Sequence, residues 1–248
     1  MNPTNIIRLD GRSLEEYRKP VKIETNISNM AEGSAKVTIG DTVVIAGVKM
    51  DVGEPYPDSP DEGVLIVTVE LLPLSSPDFL PGPPREQATE LARIVDRGIR
   101  ESQMIDTKKL CIKEGELVWA IFLDIYTIND DGNLIDAAAL ASVIALSNTM
   151  LPKLEKDKVK YGELTKTKLP LKSLPITCTL AKLDGNIIID PNREEESLIE
   201  ARLSIAVNEK GEMNAMQFGG NSALTVEEIM KMVDIAIDKN KELRKLVK

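Results

Sequence analysis

The 248-residue chain contains no histidine. That removes Ser-His-Asp and Cys-His nucleophile systems and histidine-based metal sites. Any chemistry must use carboxylates, lysine, arginine, tyrosine or hydroxyls. Cysteine is also scarce: Cys111 and Cys178 are the only two, far apart and each in a strand-like apolar run. Buried free thiols are expected and a disulfide is not. No apolar run approaches the ~20 residues of a membrane-spanning helix, and MNPTNIIRLDGR at the start is too polar for a signal peptide. The expected location is the cytoplasm. Net positive charge is missing too. A formal charge of −9 argues against a globally basic nucleic-acid binder but leaves room for a local cationic strip.

What is present is ordinary for a globular protein, with 42% apolar and 29% charged residues. Residues 35-AKVTIGDTVVIAGVKM-50 are β-branched and broken by Gly40-Asp41, which reads as a hairpin. After a Pro- and acid-rich loop, 64-VLIVTVEL-71 alternates, with Leu65, Val67, Val69 and Leu71 on one face. The loop 80-LPGPP-84 precedes a helix expected at about Arg85–Gln103. The run 117-LVWAIFLDIYTI-128 suggests a strand buried on both faces. The helix expected over 134–150 is rich in small residues, so it packs closely against another layer, most simply the sheet. Further on, Asp184-Gly185 signals a type I′ turn and Lys210-Gly211 a second hairpin. Thr225 and Glu228 form a capping box for a last helix, with Ile229, Val233, Ile237 and Leu243 or Leu246 along its apolar face. Element order predicts an α+β fold of two similar halves, although no sequence repeat relates them.

Three places carry candidate chemistry. On the helix at Arg85–Gln103, Arg93, Arg97 and Arg100 fall within about a 60° sector opposite Ala88, Leu91, Val95 and Ile99. The plainest reading is a solvated face laced by Glu90–Arg93 and Arg93–Asp96 pairs. The alternative is a phosphate-binding stripe matched to an extended nucleic-acid strand. The loop 129-NDDGN-133 precedes a helix, but Asp130 and Asp131 would repel an anion, which favours a turn and helix cap. Glu194, Glu195 and Glu196 suit either a divalent cation or the first turn of a short helix. Arg202, close behind, is expected to return toward these carboxylates as a structural bridge.

The segments 9-LDGRSLEEYRK-19, 31-AEGSAKVTIGDTVVIAGV-48, 182-KLDGNIIIDPNREEES-197 and 217-QFGGNSALT-225 together resemble the ribonuclease PH family over nearly the whole chain. Within it, 71-LLPLSSPDFLPGPP-84 and 90-ELARIVDRGIRES-102 are most similar to the non-catalytic ring subunit of the archaeal exosome. The resemblance implies one ribonuclease PH-like domain over 1–248, with halves at about 1–155 and 170–248. It also implies a hexameric ring shared with a catalytic ribonuclease PH-like subunit, RNA-binding cap subunits, single-stranded RNA degraded from its 3′ end with phosphate, and no cofactor or metal.

Catalytic members carry an Asp-Gly-Gly-Thr-Arg-like phosphate loop, and the matching positions here are Asp130, Asp131, Gly132, Asn133 and Leu134. Their acid cluster is matched by Glu194-Glu195-Glu196, Glu200 and Arg202, so the last acid has become a cation. The resemblance therefore implies no catalytic residues. It places Arg93 and Arg97 on the RNA path, and helix geometry extends the stripe to Arg100. An architectural subunit without RNA contact, and a phosphorolytic exoribonuclease active alone, are the competing readings.

Overall fold

The computed structural model describes Arg8 and residues 10–247. The polar start read at residues 1–7, together with Leu9 and Lys248, lies outside the described residues. Val21–Thr25 (β1), Gly33–Ile39 (β2), Thr42–Gly53 (β3), Val64–Glu70 (β4), Cys111–Lys113 (β5) and Leu117–Asn129 (β6) build a six-stranded sheet. Its order is β1-β2-β3-β6-β4, with β5 also on β6, and only the β4–β6 pair is parallel. Glu86–Glu101 (α1) follows β4, and Leu134–Ser147 (α2) follows β6. Met150–Glu155 (β7) and Lys158–Lys168 (β8) pair as a separate hairpin. Ile176–Leu183 (β9), Asn186–Ile189 (β10), Ala201–Val207 (β11) and Met213–Gly220 (β12) form an antiparallel sheet in the order β10-β9-β11-β12. Arg193–Glu196 (α3) joins β10 to β11, and Val226–Arg244 (α4) ends the described chain.

Local chemistry explains most of these elements. The β2–β3 hairpin turns at Gly40-Asp41, where Gly40 takes a φ of 59°. Asp184 and Gly185 both take positive φ, 48° and 71°, as a type I′ turn demands. Thr225 and Glu228 close a reciprocal capping box, so two otherwise orphaned N–H groups at the start of α4 are satisfied. On α4 the buried residues are Met232, Ile235, Ala236, Asn240 and Leu243, flanked by half-buried Ile229, Val233 and Ile237. Leu243, not the exposed Leu246, completes that face.

Two expectations need correction. The strand β6 is buried on both faces only over its first part. From Ile121 onward its burial alternates, with Leu123, Ile125 and Thr127 inside and Phe122, Asp124 and Tyr126 half-exposed, because helices cover one side of the sheet only. Of the two thiols, Cys178 is buried in β9, whereas Cys111 on the short β5 is only half-buried; both are free. The small-residue helix α2 lies between layers, against β2 and β3 on one side and β9 on the other, with α1 alongside. Ala137, Ala138, Ala141 and Ala145 are each 0–1% exposed, which permits this close approach to two sheets at once. The two sheets thus share one core around α2, and the site described next lies where they meet.

Candidate functional site

The loop Asp130–Asn133 enters α2 and presents the backbone N–H groups that could cradle an anion. Those groups are already taken. The N–H of Asn133 donates to Glu196 Oε1 at 2.7 Å, that of Gly132 to Asp130 Oδ1 at 3.1 Å, and that of Asp131 to Thr42 Oγ1 at 3.2 Å. Two of the protein's own carboxylates and the Thr42 hydroxyl therefore take up these loop amides. Gly132 has a φ of 89°, and a Cβ there would lie 2.6 Å from the carbonyl carbon of Asn192, so glycine is required for the loop to approach α3. Asn133 occupies the N-cap position in a left-handed conformation but makes no side-chain cap bond, contrary to the expected helix cap. Its amide instead donates to Asp136 Oδ2 and Asp190 Oδ1.

The three consecutive glutamates are the first turn of α3, capped by Asn192 with Glu195 completing a capping box. They do not converge on a common point. Glu194 is exposed, buried Glu195 pairs with Arg8, and Glu196 points to the α2 N-terminus. Glu196 retains solvent exposure overall, but its carboxyl end turns into the crevice. Lost hydration raises it to about 7; the Asn133 N–H opposes this, Asp130 adds repulsion, and Arg202 and Arg18 oppose it further.

Arg202 stands second in β11 and lies across β12, over Gly219, where a Cβ would come within 2.7 Å of its Nε. It does not pair with the Glu194–Glu196 cluster as expected. Its Nη2 pairs with Glu90 of α1, a partner from the other half of the molecule. Arg202, Glu90, Glu196, Asp130 and Leu134 line a crevice of about 140 Å³ between α1 and the start of α2. The positions matched to the family's phosphate arginine and final acid therefore do come together, but as a leucine and an arginine.

The structure rearranges the charges on α1. Arg93, Arg97 and Arg100 are all exposed, opposite buried Ala88, Leu91, Val95 and Ile99. Neither expected Arg93 pair forms. Glu90 is held by Arg202, and Asp96 is held by Arg100 through two hydrogen bonds of 2.8 and 2.9 Å. Arg100 also donates to the Leu65 carbonyl at 2.6 Å. Arg97 reaches Gln217 on β12 at 3.3 Å. Among the described residues Arg93 has no acidic partner within ion-pair distance. Arg93 and Arg97 share an open groove of about 390 Å³ with Thr89, Gln217 and two acids, Glu86 and Glu90.

A buried polar junction escaped the sequence reading. Asp190, fully buried just after β10, accepts from Arg12, from the backbone and side chain of Arg18, and from Asn133. Arg18 also reaches Asp131 and the Gly132 carbonyl. Beneath it, Tyr17 donates to Asp136 or to Cys178, each at 3.2 Å. Burial lifts Asp136 to about 6, against the pull of its hydrogen bonds to Asn133 and Thr179. Arg12, Tyr17, Arg18 and Asp190 fall within two of the quoted family-like segments, but nothing in their spacing joins them to one another or to Asn133, Asp136 and Cys178.

The comparisons agree with this architecture. Residues 17–152 match the 3′ exoribonuclease family, domain 1 (RNase PH), and residues 173–239 match domain 2 of that family. The chain is 48% identical over 244 residues to exosome complex component Rrp42 of Thermococcus gammatolerans, covering 97% of this chain and 89% of the relative. It is 48% identical over 239 residues to the same component of Methanosarcina acetivorans, covering 96% and 88%. A structure of the Archaeoglobus fulgidus exosome with RNA bound to the active site contains a chain similar at a TM-score of 0.90 and 45% identity, covering 98% of this chain and 93% of that one. Rice Rrp46 shares the fold, with a TM-score of 0.73 at 18% identity over 97% of this chain and 98% of that one. By both domain matches and by these relatives, the chain belongs to the RNase PH family of 3′ exoribonucleases.

Proposed function

We propose that this chain is a non-catalytic subunit of an archaeal exosome ring. In this reading residues 1–248 act as one domain with halves at about 1–155 and 170–248. The chain assembles in the cytoplasm with a catalytic ribonuclease PH-like partner into a hexameric ring beneath RNA-binding cap subunits. It holds single-stranded RNA for phosphate-dependent degradation from the 3′ end. The observation that carries the proposal is the self-filled anion position. Glu196 occupies the α2 N-terminus, and Arg202 replaces the acid that phosphorolysis would need beside the scissile phosphodiester. Arg93 and Arg97, four apart and in no ion pair among the described residues, supply the RNA contact. Arg100 extends the cationic stripe by its charge, with its Nε and Nη2 already committed.

Two measurements test this. The chain alone, given single-stranded RNA, phosphate and Mg²⁺, releases no nucleoside diphosphate above a no-protein blank; turnover by the chain alone promotes the active-enzyme reading. In the assembled ring, Arg93→Ala with Arg97→Ala weakens RNA binding for every sequence, because phosphate contacts carry no base information. The slope of log K against log salt falls by about 1.4, at ~0.7 per single-strand contact. An unchanged slope makes the subunit architectural only.

A further inference from the structure

We infer that Arg202 is a positioning residue for the RNA groove: it withdraws Glu90 from Arg93 and so keeps the Arg93 guanidinium available to phosphate. The inference rests on the proposed RNA role of α1 and adds to it a device that the loss of catalysis does not explain. On an isolated helix Glu90 and Arg93, three apart, are neighbours and would pair. In the folded chain that pair is absent, since Glu90 is held across the sheet boundary by Arg202. The other acid within reach of Arg93 along the helix, Asp96, is taken by Arg100, which also donates to the Leu65 carbonyl. Arg202 and Arg100 thus pair with the two acids that lie three residues either side of Arg93, so that Glu90, which still lines the groove with Glu86, is neutralised there.

The geometry around Arg202 is specific to this task. Its side chain can lie flat over β12 because residue 219 is glycine, and a Cβ there would press on Nε at 2.7 Å and Nη2 at 2.9 Å. An acid at position 202 would repel Glu90, which would then be released toward Arg93. A neutral residue would leave Glu90 uncompensated beside the phosphate path. Either change leaves the charge of Glu90 unneutralised in the groove it lines with Arg93.

The test is a double-mutant cycle on assembled rings, reading affinity for single-stranded oligoadenylate at several salt concentrations. Arg202→Gln weakens binding by roughly three- to tenfold at low salt, through local repulsion and competition for Arg93. Adding Glu90→Gln restores affinity to within about twofold of the parent, because the released acid is then gone. The salt slope of the double variant matches the parent, since no phosphate contact has been lost. Failure of Glu90→Gln to rescue, or a slope lowered by about 0.7 as for a direct phosphate contact, overturns the inference. If Arg202→Gln impairs assembly, Gly219→Ala displaces the guanidinium without removing its charge and must show the same rescue. Arg93→Ala with Arg97→Ala run in parallel separates the two levels. If that pair is silent, the RNA reading of α1 fails; if it is active and rescue is absent, only the role of Arg202 fails.

Discussion

Asp190→Asn isolates the charge at the junction between the two halves. Asparagine keeps the shape and tolerates the left-handed backbone that Asp190 adopts, with a φ of 45°. What it loses is the negative charge and one of two acceptor oxygens, which an NH2 donor replaces against the two guanidiniums. Asp190 Oδ2 takes the Arg18 backbone N–H at 2.6 Å, Arg18 Nε at 3.0 Å and Arg12 Nη1 at 3.1 Å, while Oδ1 takes Arg18 Nη2 and the Asn133 amide at 2.9 and 2.8 Å. The Asp190 side chain is 0% exposed, and those of Arg12 and Arg18 are 11% and 7% exposed. Removing one partner of such a buried cluster strands the others in low dielectric, which costs about 3–5 kcal/mol. For a chain of this size, each kcal/mol moves Tm by about 2–4 °C, so a fall of roughly 10 °C is expected. Urea unfolding of the purified chain and its Asp190→Asn variant measures this directly. Arg18→Met in the same background should reduce the cost of Asp190→Asn by at least ~1 kcal/mol, because one stranded cation is then absent. A loss under ~1 kcal/mol, or strict additivity of the two changes, would refute the claim that Asp190 anchors the N-terminal segment to both halves.

The buried carboxyl of Asp136 predicts a pH dependence of definite sign. Its folded value of about 6, against 3.8 otherwise, means that its contribution is fully present below 3.8 and is lost as pH rises through about 6. The loss approaches ~3 kcal/mol. Asp136→Asn should flatten the decline in urea stability between pH 4.5 and 7.5 relative to the parent, and parallel profiles would contradict it. Gly132→Ala should cost about 2–4 kcal/mol, since its Cβ meets the backbone of Pro191 and Asn192 and its φ is positive; a neutral result in thermal melts would show that the loop can move away from α3. Arg202→Asp alone should leave the chain without phosphorolytic activity, because Leu134 and the Glu196-filled loop remain. Any phosphate-dependent release of nucleoside diphosphates by that variant would show that the loop is still fit for phosphate.

Much of the fold was written locally in the sequence. The hairpin at Gly40-Asp41, the type I′ turn at Asp184-Gly185, the α4 capping box and the apolar face of α1 each follow from neighbours within four residues of one another. Backbone conformational limits and hydrophobic period act at that range. The one-sided exposure of β6 was not legible, because an apolar run does not say whether a second layer will cover it. Nor was the pairing of charges. The sequence placed Glu90 and Asp96 beside Arg93, and the stripe of arginines on α1 was correctly set opposite the core. Only the tertiary structure decided that Arg202, 112 residues away, would take Glu90, and that Glu196 would fill the N-terminus of α2. An exposed i,i+3 pair is worth only a few tenths of a kcal/mol, so a cation brought in by the fold can outcompete it. The final arrangement of charge is therefore set by the packing of α1 and α2 against the second sheet.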